Sequence, residues 1–123
     1  MKLLLDTHTF LWGISEPDRI PSRQRDEIIS PANVVYVSAV SVAEIMIKAS
    51  IGKLHVDFDP YEQILEAGFQ PVDFSGNDAL RLRDLPFHHR DPFDRMLISQ
   101  ALERNWTIVT QDREFIRYGC RVI

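Results

Sequence analysis

This sequence contains a single cysteine, Cys120, among its 123 residues. One thiol cannot form an intramolecular disulfide or supply a cysteine-rich zinc site, which excludes a disulfide-stabilised secreted scaffold. Long apolar runs are also lacking, because Asp6 interrupts the leucines near the amino terminus before they could form a signal sequence or a membrane span. We therefore expect a cytoplasmic protein without a membrane segment.

The chain also lacks an excess of positive charge. Its formal net charge is −4, which argues against the capture of nucleic acid by charge alone. The charge is unevenly distributed, since residues 1–80 carry a net −6 and residues 81–123 a net +2. Neither an internal repeat nor a low-complexity linker divides the sequence, so we expect one domain that spans residues 1–123.

Short β-rich runs alternate with longer helical patterns. Several of the β-rich runs are almost entirely apolar, as expected of strands that are covered on both faces. Strands connected through helices pair in parallel through right-handed crossovers. The pattern therefore predicts an α/β fold with a central, mostly parallel five-stranded sheet flanked by helices. The strands are predicted at 2–5, 34–37, 69–74, 106–110 and 120–123, and the helices near 8–13, 22–30, 41–51, 60–67, 76–84, 92–104 and 112–117.

Acidic residues stand where the predicted strands end. Asp6 ends the first strand, Glu44 lies one to two helical turns past the second, and Asp112 follows the fourth. Asp91 and Asp94 open the long helix near 92–104. Ligands of parallel sheets bind outside the carboxyl ends of the strands, and carboxylates crowded there repel one another unless a cation intervenes. Oxygen donors without cysteine suggest Mg²⁺ or Mn²⁺ rather than zinc.

Most of these acids also have a purely structural interpretation. Asp6, Asp91 and Asp112 could be N-caps of the helices that follow them. Ser41 and Glu44 fit the S-x-x-E pattern of a capping box. Taken singly, each position fits capping as well as it fits metal binding, and Asp91 fits capping better. Their joint convergence on one edge of the sheet is what favours a metal site.

Other polar residues near these acids could support a site. Ser38 and Thr110 lie at strand ends, where hydroxyl groups commonly orient carboxylate ligands. Hydrogen bonding of these hydroxyl groups within a turn is an equally simple explanation. Arg90 and Arg95 could contact phosphate oxygens of a substrate or form surface salt bridges. The adjacent His88 and His89 point in different directions and do not make a chelating pair, so we expect no zinc site.

Four segments, taken together, carry a more specific pattern. They are "LLLDTHTFLW", "VSAVSVAEIMIKASIGKL", "HRDPFDRMLISQAL" and "TIVTQDREF". In this order and spacing the chain resembles PIN-domain proteins, and more narrowly the VapC-type toxins of bacterial toxin–antitoxin pairs. The resemblance covers essentially the whole chain and implies a three-layer PIN-like fold. It also implies an acidic pocket formed by Asp6, Glu44, Asp94 and Asp112, supported by Thr110 and Ser38, with Asp91 lining it.

The resemblance further implies a function. It suggests an Mg²⁺- or Mn²⁺-dependent endoribonuclease that cleaves RNA phosphodiester bonds by metal-activated water, acts as a homodimer and is bound by a cognate antitoxin protein. A PIN-like module that binds RNA or protein without cleavage remains the alternative. A phosphatase of the haloacid-dehalogenase type fits poorly, because that family needs a second aspartate where His8 stands.

Overall fold

Five short strands form one sheet at the centre of the computed structural model, which describes residues 1–123. Their order across the sheet is β3-β2-β1-β4-β5, and every neighbouring pair runs parallel. The expected α/β fold is therefore confirmed, with a sheet that is parallel throughout. The strands are β1 (Lys2–Leu5), β2 (Val34–Ser38), β3 (Gln70–Val72), β4 (Thr107–Val109) and β5 (Arg121–Val122).

Helical segments connect all five strands. Six are α-helices, and the segment near 112–117 that was expected to be a helix forms a 3₁₀ helix. The expected helix near 76–84 divides into a short α-helix and a 3₁₀ turn. The α-helices are α1 (Thr7–Ser15), α2 (Ser22–Ile29), α3 (Ala39–Ser50), α4 (Pro60–Glu66), α5 (Gly76–Leu80) and α6 (Pro92–Arg104), and the 3₁₀ segments are Pro17–Arg19, Arg81–Asp84 and Arg113–Tyr118.

The hydrophobic core has two parts, one on each face of the sheet. Leu4 of β1 packs in one cluster with Leu97 of α6, whereas Leu3 and Leu5 pack in the other with Phe10 of α1. Successive side chains of a strand point to opposite faces, which explains why neighbouring leucines enter different clusters. Both faces of β1 are thus buried, and the domain has three layers.

The start of α3 corrects one structural interpretation of the sequence. Ser38 is the N-cap of this helix, and its hydroxyl accepts a hydrogen bond from the Val40 amide at 3.1 Å. Ser41 therefore lies within the first turn, where its hydroxyl accepts from the Thr7 hydroxyl at 3.0 Å. The prediction of a capping box at Ser41 and Glu44 is therefore wrong, and the Glu44 side chain caps no helix.

No helix in this fold combines the length and the apolar character that crossing a lipid bilayer requires.

Candidate active site

The parallel pairing of β1 with β4 brings the first of the expected site residues together. Leu5 of β1 is in register with Val109 of β4, so the residues that follow these strands are neighbours at the carboxyl edge of the sheet. There, the Thr110 hydroxyl donates a hydrogen bond of 2.6 Å to Oδ2 of Asp6. Thr110 thus supports Asp6, although 104 positions separate the two residues in the sequence.

Asp6 combines a structural role with an exceptional environment. Its Oδ1 accepts a hydrogen bond from the Thr9 amide at 2.8 Å, which caps α1. The residue is only 5% exposed, and burial raises the pKa of its carboxyl group even though the hydrogen bonds from Thr110 and Thr9 lower it. A buried carboxyl group of this kind favours a nearby cation, which stabilises its ionised form.

Glu44 extends from α3 into the same region and is 3% exposed. Its Oε2 accepts a hydrogen bond from the Lys48 ammonium group at 2.5 Å. Its Oε1 is buried and has no hydrogen-bond partner. Buried polar atoms normally have partners, because an unsatisfied one costs free energy. The orphaned oxygen is therefore a natural position for a ligand atom or a cation.

The pKa of Asp94, at the start of α6, is the clearest sign that the acids lie near one another. Burial, followed by the negative charges of Asp91, Glu44 and Asp6, raises the pKa of its carboxyl group to about 7 against the opposing effect of His89. Acids contributed by β1, α3 and α6 therefore act on one another across a shared space.

The two remaining acids use one oxygen each for capping. Oδ1 of Asp91 accepts hydrogen bonds from the amides of Phe93 and Asp94 and caps α6. Oδ1 of Asp112 accepts from the Glu114 amide at 2.9 Å and caps the last 3₁₀ helix. Because these bonds occupy only Oδ1, the second oxygen of each carboxylate is left for other contacts. Capping and metal binding are therefore compatible at these positions.

His89 joins two of the acids and was not assigned a role by the sequence. Its Nε2 lies 3.1 Å from Oδ2 of Asp94 and 2.9 Å from Oδ2 of Asp112. The three side chains form a group whose possible ligand atoms lie within 4.8 Å of one another. However, Nδ1 of His89 accepts a hydrogen bond from the Asp91 amide at 3.1 Å, which assigns the ring proton to Nε2. His89 is thus a hydrogen-bond donor to Asp112, lies at ion-pair distance from Asp94 and, in this orientation, is not a metal ligand.

The two arginines expected to contact phosphate occupy different environments. Arg95 is 8% exposed, and its guanidinium group donates to the carbonyl oxygens of Leu85 and Pro86 at 3.2 and 2.8 Å and to the Tyr118 hydroxyl at 3.3 Å. It holds the loop before α6 in place instead of extending toward the solvent. Arg90 is exposed in the same loop.

These observations provide a test of whether the residues suit a divalent cation. The donor atoms are carboxylate oxygens, one of them buried without a partner, and burial and mutual repulsion both disfavour the ionised state of Asp94. Hard cations such as Mg²⁺ and Mn²⁺ prefer oxygen ligands and would remove that repulsion. The residues present therefore fit such an ion.

Comparisons with known proteins agree with this geometry. A sequence model of the PIN domain matches residues 3–119. Among curated proteins, the chain is similar to Ribonuclease VapC22 of Mycobacterium tuberculosis (strain ATCC 25618 / H37Rv), with 29% identity over 114 residues that cover 90% of this chain and 87% of that protein.

Solved structures share the fold at lower identity. VapBC2 from Rickettsia felis, crystallised with a DNA fragment from its promoter, matches with a TM-score of 0.74 and 19% identity over 100% of this chain and 98% of that chain. FitAcB from Neisseria gonorrhoeae matches with a TM-score of 0.63 and 22% identity over 98% of this chain and 96% of that chain. At such identities the likeness establishes the three-layer architecture.

Proposed function

The chain belongs to the PIN domain family, and from that premise we propose that it is an endoribonuclease that hydrolyses RNA phosphodiester bonds with Mg²⁺ or Mn²⁺. One observation carries the proposal: Asp94 is half-buried near Asp91, Glu44 and Asp6, and burial together with their negative charges raises its pKa to about 7. The similarity to a curated ribonuclease supports RNA as the substrate.

The positions of the site residues suggest a role for each of them. Asp6, Glu44, Asp94 and Asp112 would hold the cation, with Asp91 beside them. When bound, the cation supplies a water of lowered pKa at neutral pH and offsets negative charge on the reacting phosphate. Hydrolysis by water that breaks the bond between phosphorus and the 3′ oxygen would leave a 5′-phosphate on the downstream fragment and a 3′-hydroxyl on the upstream one, whereas attack by the ribose 2′-hydroxyl would leave a 5′-hydroxyl.

Supporting residues keep the acids in position. The Thr110 hydroxyl fixes Oδ2 of Asp6. The cap made by Ser38 sets where α3 begins and therefore where Glu44 emerges. The Nε2–H of His89 donates to Oδ2 of Asp112 and lies 3.1 Å from Oδ2 of Asp94, between the two carboxylates. Fixed orientation of ligands lowers the cost of assembling a metal site.

We further propose that the protein is the toxin of a toxin–antitoxin pair, is cytoplasmic and acts as a homodimer. The proposal is supported by the solved VapBC structures that share the fold and by the name of the curated relative. A cognate antitoxin that covers the acidic pocket would keep the nuclease inactive until it is released.

Cleavage is tested by mapping 5′-phosphate ends on total RNA after incubation of the purified protein with Mg²⁺ or Mn²⁺. We expect new 5′-phosphate ends with the unmodified protein and none with Asp94→Asn, whose side chain keeps its shape but not its charge. Full activity of Asp94→Asn would refute the assignment of the acidic pocket. Ends that carry a 5′-hydroxyl would refute hydrolysis at the bond between phosphorus and the 3′ oxygen.

The alternative, a PIN-like module that binds RNA or protein without cleavage, is favoured by the capping bonds of Asp6, Asp91 and Asp112. Calorimetric titration with Mn²⁺ separates the two functions. If the acids serve only as caps, the heat signal should show no stoichiometric binding and no dependence on Asp6. A saturable signal that Asp6→Asn removes would support the metal site.

A further inference from the structure

A small cavity of about 160 Å³ lies beside the acidic pocket. Its polar wall contains His8, Glu44, Lys48 and Lys53, and leucine and isoleucine side chains form its apolar part. Glu44 belongs to both the cavity and the acidic pocket, so the two spaces share one wall. We call this cavity the lysine pocket.

The end of α3 places both lysines in this wall. Gly52 adopts a left-handed conformation with φ of 75°, and its amide donates to the carbonyl oxygen of Ala49 at 3.2 Å. The Lys53 amide donates to the carbonyl oxygen of Lys48 at 2.9 Å. This pair of bonds is the Schellman motif, which reverses the chain at the end of a helix. The motif therefore fixes Lys53 next to Lys48, although five positions separate them in the sequence.

The two lysines have unused hydrogen-bonding capacity. An ammonium group has three donor hydrogens, and the single hydrogen bond that Lys48 makes goes to Glu44. The Lys48 side chain is 35% exposed, so the other two hydrogens can reach a ligand in the cavity. Lys53 is exposed and takes part in none of the eight ion pairs of the protein. His8, on the same wall, is also exposed.

An acidic chain that acts on a polyanion needs local positive charge. The protein has three lysines in all, and two of them meet at this cavity, next to the carboxylates that would cleave the substrate. Arg95 cannot provide that charge, because its guanidinium group is buried against carbonyl oxygens of the loop before α6. The lysine pocket is thus a concentrated source of cationic donors adjoining the acids.

We propose that the lysine pocket binds a phosphate group of the RNA backbone beside the bond that is cut, with Lys53 and the free donors of Lys48 contacting its oxygens. This inference rests on the proposed endoribonuclease function and adds to it a position for the substrate. Lys53 contributes affinity and takes no part in bond cleavage.

The test measures RNA binding separately from cleavage. All variants carry Asp94→Asn to prevent turnover, and binding of a short fluorescent single-stranded RNA is followed by anisotropy between about 50 and 200 mM KCl. Lys53→Met removes one cation from the pocket. Lys2→Met is the matched control, since Lys2 is also an exposed lysine and lies at the start of β1, at the opposite end of the strand from the acids.

Lys53→Met should weaken binding about threefold to tenfold at the lowest salt concentration, as expected for one lost contact with a charged partner. It should also reduce the slope of log K against log salt concentration by about 0.7, the value for one phosphate contact on a single strand. Lys2→Met should change neither quantity. Equal slopes for the two variants, or no measurable binding by the parent protein, would overturn the proposal.

The two hypotheses can fail separately. If the unmodified protein generates no 5′-phosphate ends while Lys53→Met still lowers the salt slope, the endoribonuclease function fails and the lysine pocket stands. If the unmodified protein cleaves RNA and Lys53→Met leaves the slope unchanged, the pocket assignment alone fails. In a cleaving protein, Lys53→Met should raise KM and leave kcat nearly unchanged.

Discussion

At the scale of single residues, the acids show that a helix cap and a candidate metal ligand can be the same side chain. Asp6, Asp91 and Asp112 each direct Oδ1 to a backbone amide. The other oxygen is turned to Thr110 in Asp6 and to His89 in Asp112. A sequence pattern cannot separate the two roles, because both need a short carboxylate just after a strand or just before a helix.

Arg95 shows how burial changes the role of a charged residue. Arg95→Met removes donors from the carbonyl oxygens of Leu85 and Pro86, which leaves part of the loop before α6 without its hydrogen bonds. We expect the free energy of unfolding, measured with urea, to fall by about 2–4 kcal/mol.

Arg90→Met is the matched control for this prediction, because Arg90 lies in the same loop and is exposed. Its free energy of unfolding should stay within about 0.5 kcal/mol of that of the unmodified protein. If Arg95→Met were as stable as Arg90→Met and instead lost only RNA binding, Arg95 would be a phosphate contact and not a support for the loop.

At the scale of elements, both ends of α3 matter to the site. The Ser38 cap sets the start of the helix, which fixes the rotation that turns Glu44 inward. The Schellman motif sets its end and brings Lys53 back to Lys48. A helix with the same residues but a shifted start would present Glu44 on another face, because each residue turns the helix by about 100°.

Gly52→Ala tests the end of α3. Gly52 has φ of 75°, and a Cβ atom there would meet nothing within 4 Å, so the cost is confined to the backbone conformation. We expect a loss of about 1 kcal/mol in the free energy of unfolding.

Gly76→Ala is the comparison, since Gly76 begins α5, also has open space around it and has no positive φ. This variant should be as stable as the unmodified protein or slightly more stable. Equal effects of the two substitutions would mean that the left-handed conformation of Gly52 is not required.

At the scale of the whole molecule, the acidic pocket exists only because the strand order is β3-β2-β1-β4-β5. This order makes β1 the central strand and sets the ends of β2 and β4 on either side of it. Acids that are remote in the sequence then lie near one another, and burial together with their charges raises the pKa of Asp94.

Asp94→Asn should stabilise the metal-free protein at neutral and higher pH. In the folded protein the pKa of Asp94 is about 7, compared with about 3.9 in an unfolded chain. Between these values the folded state binds more protons than the unfolded state, so stability falls as pH rises from about 4 to about 7. Asparagine carries no charge, so the variant does not lose stability in this pH range for this reason.

The measurement is urea unfolding in EDTA at several pH values between about 4 and 8. The stability difference in favour of Asp94→Asn should be smallest near pH 4, grow as pH rises and level off above pH 7, at a size on the order of a few kcal/mol. Added Mn²⁺ should then stabilise the unmodified protein more than the variant. A difference that does not depend on pH would contradict the raised pKa of Asp94 in the folded protein.

Local sequence patterns were enough to predict the helices and strands and the chemical groups that they carry. Continuous apolar runs gave strands at the expected places, and the acids at strand ends and helix starts could be named because capping and ligand binding use the same positions. Strand lengths were less well predicted: the run at 69–74 pairs only over Gln70–Val72, since β3 is an edge strand with one neighbour. The family pattern is also local enough to be read from four segments.

The contacts of the site residues became clear only from the tertiary structure. It moved the cap of α3 from Ser41 to Ser38, buried Arg95 under a loop, placed the Nε2–H of His89 between two acids and gathered Lys48 and Lys53 at one cavity. The physical reason is that each of these outcomes depends on distances between segments that are far apart in sequence. Sheet order and packing set such distances, and local sequence patterns contain no information about either.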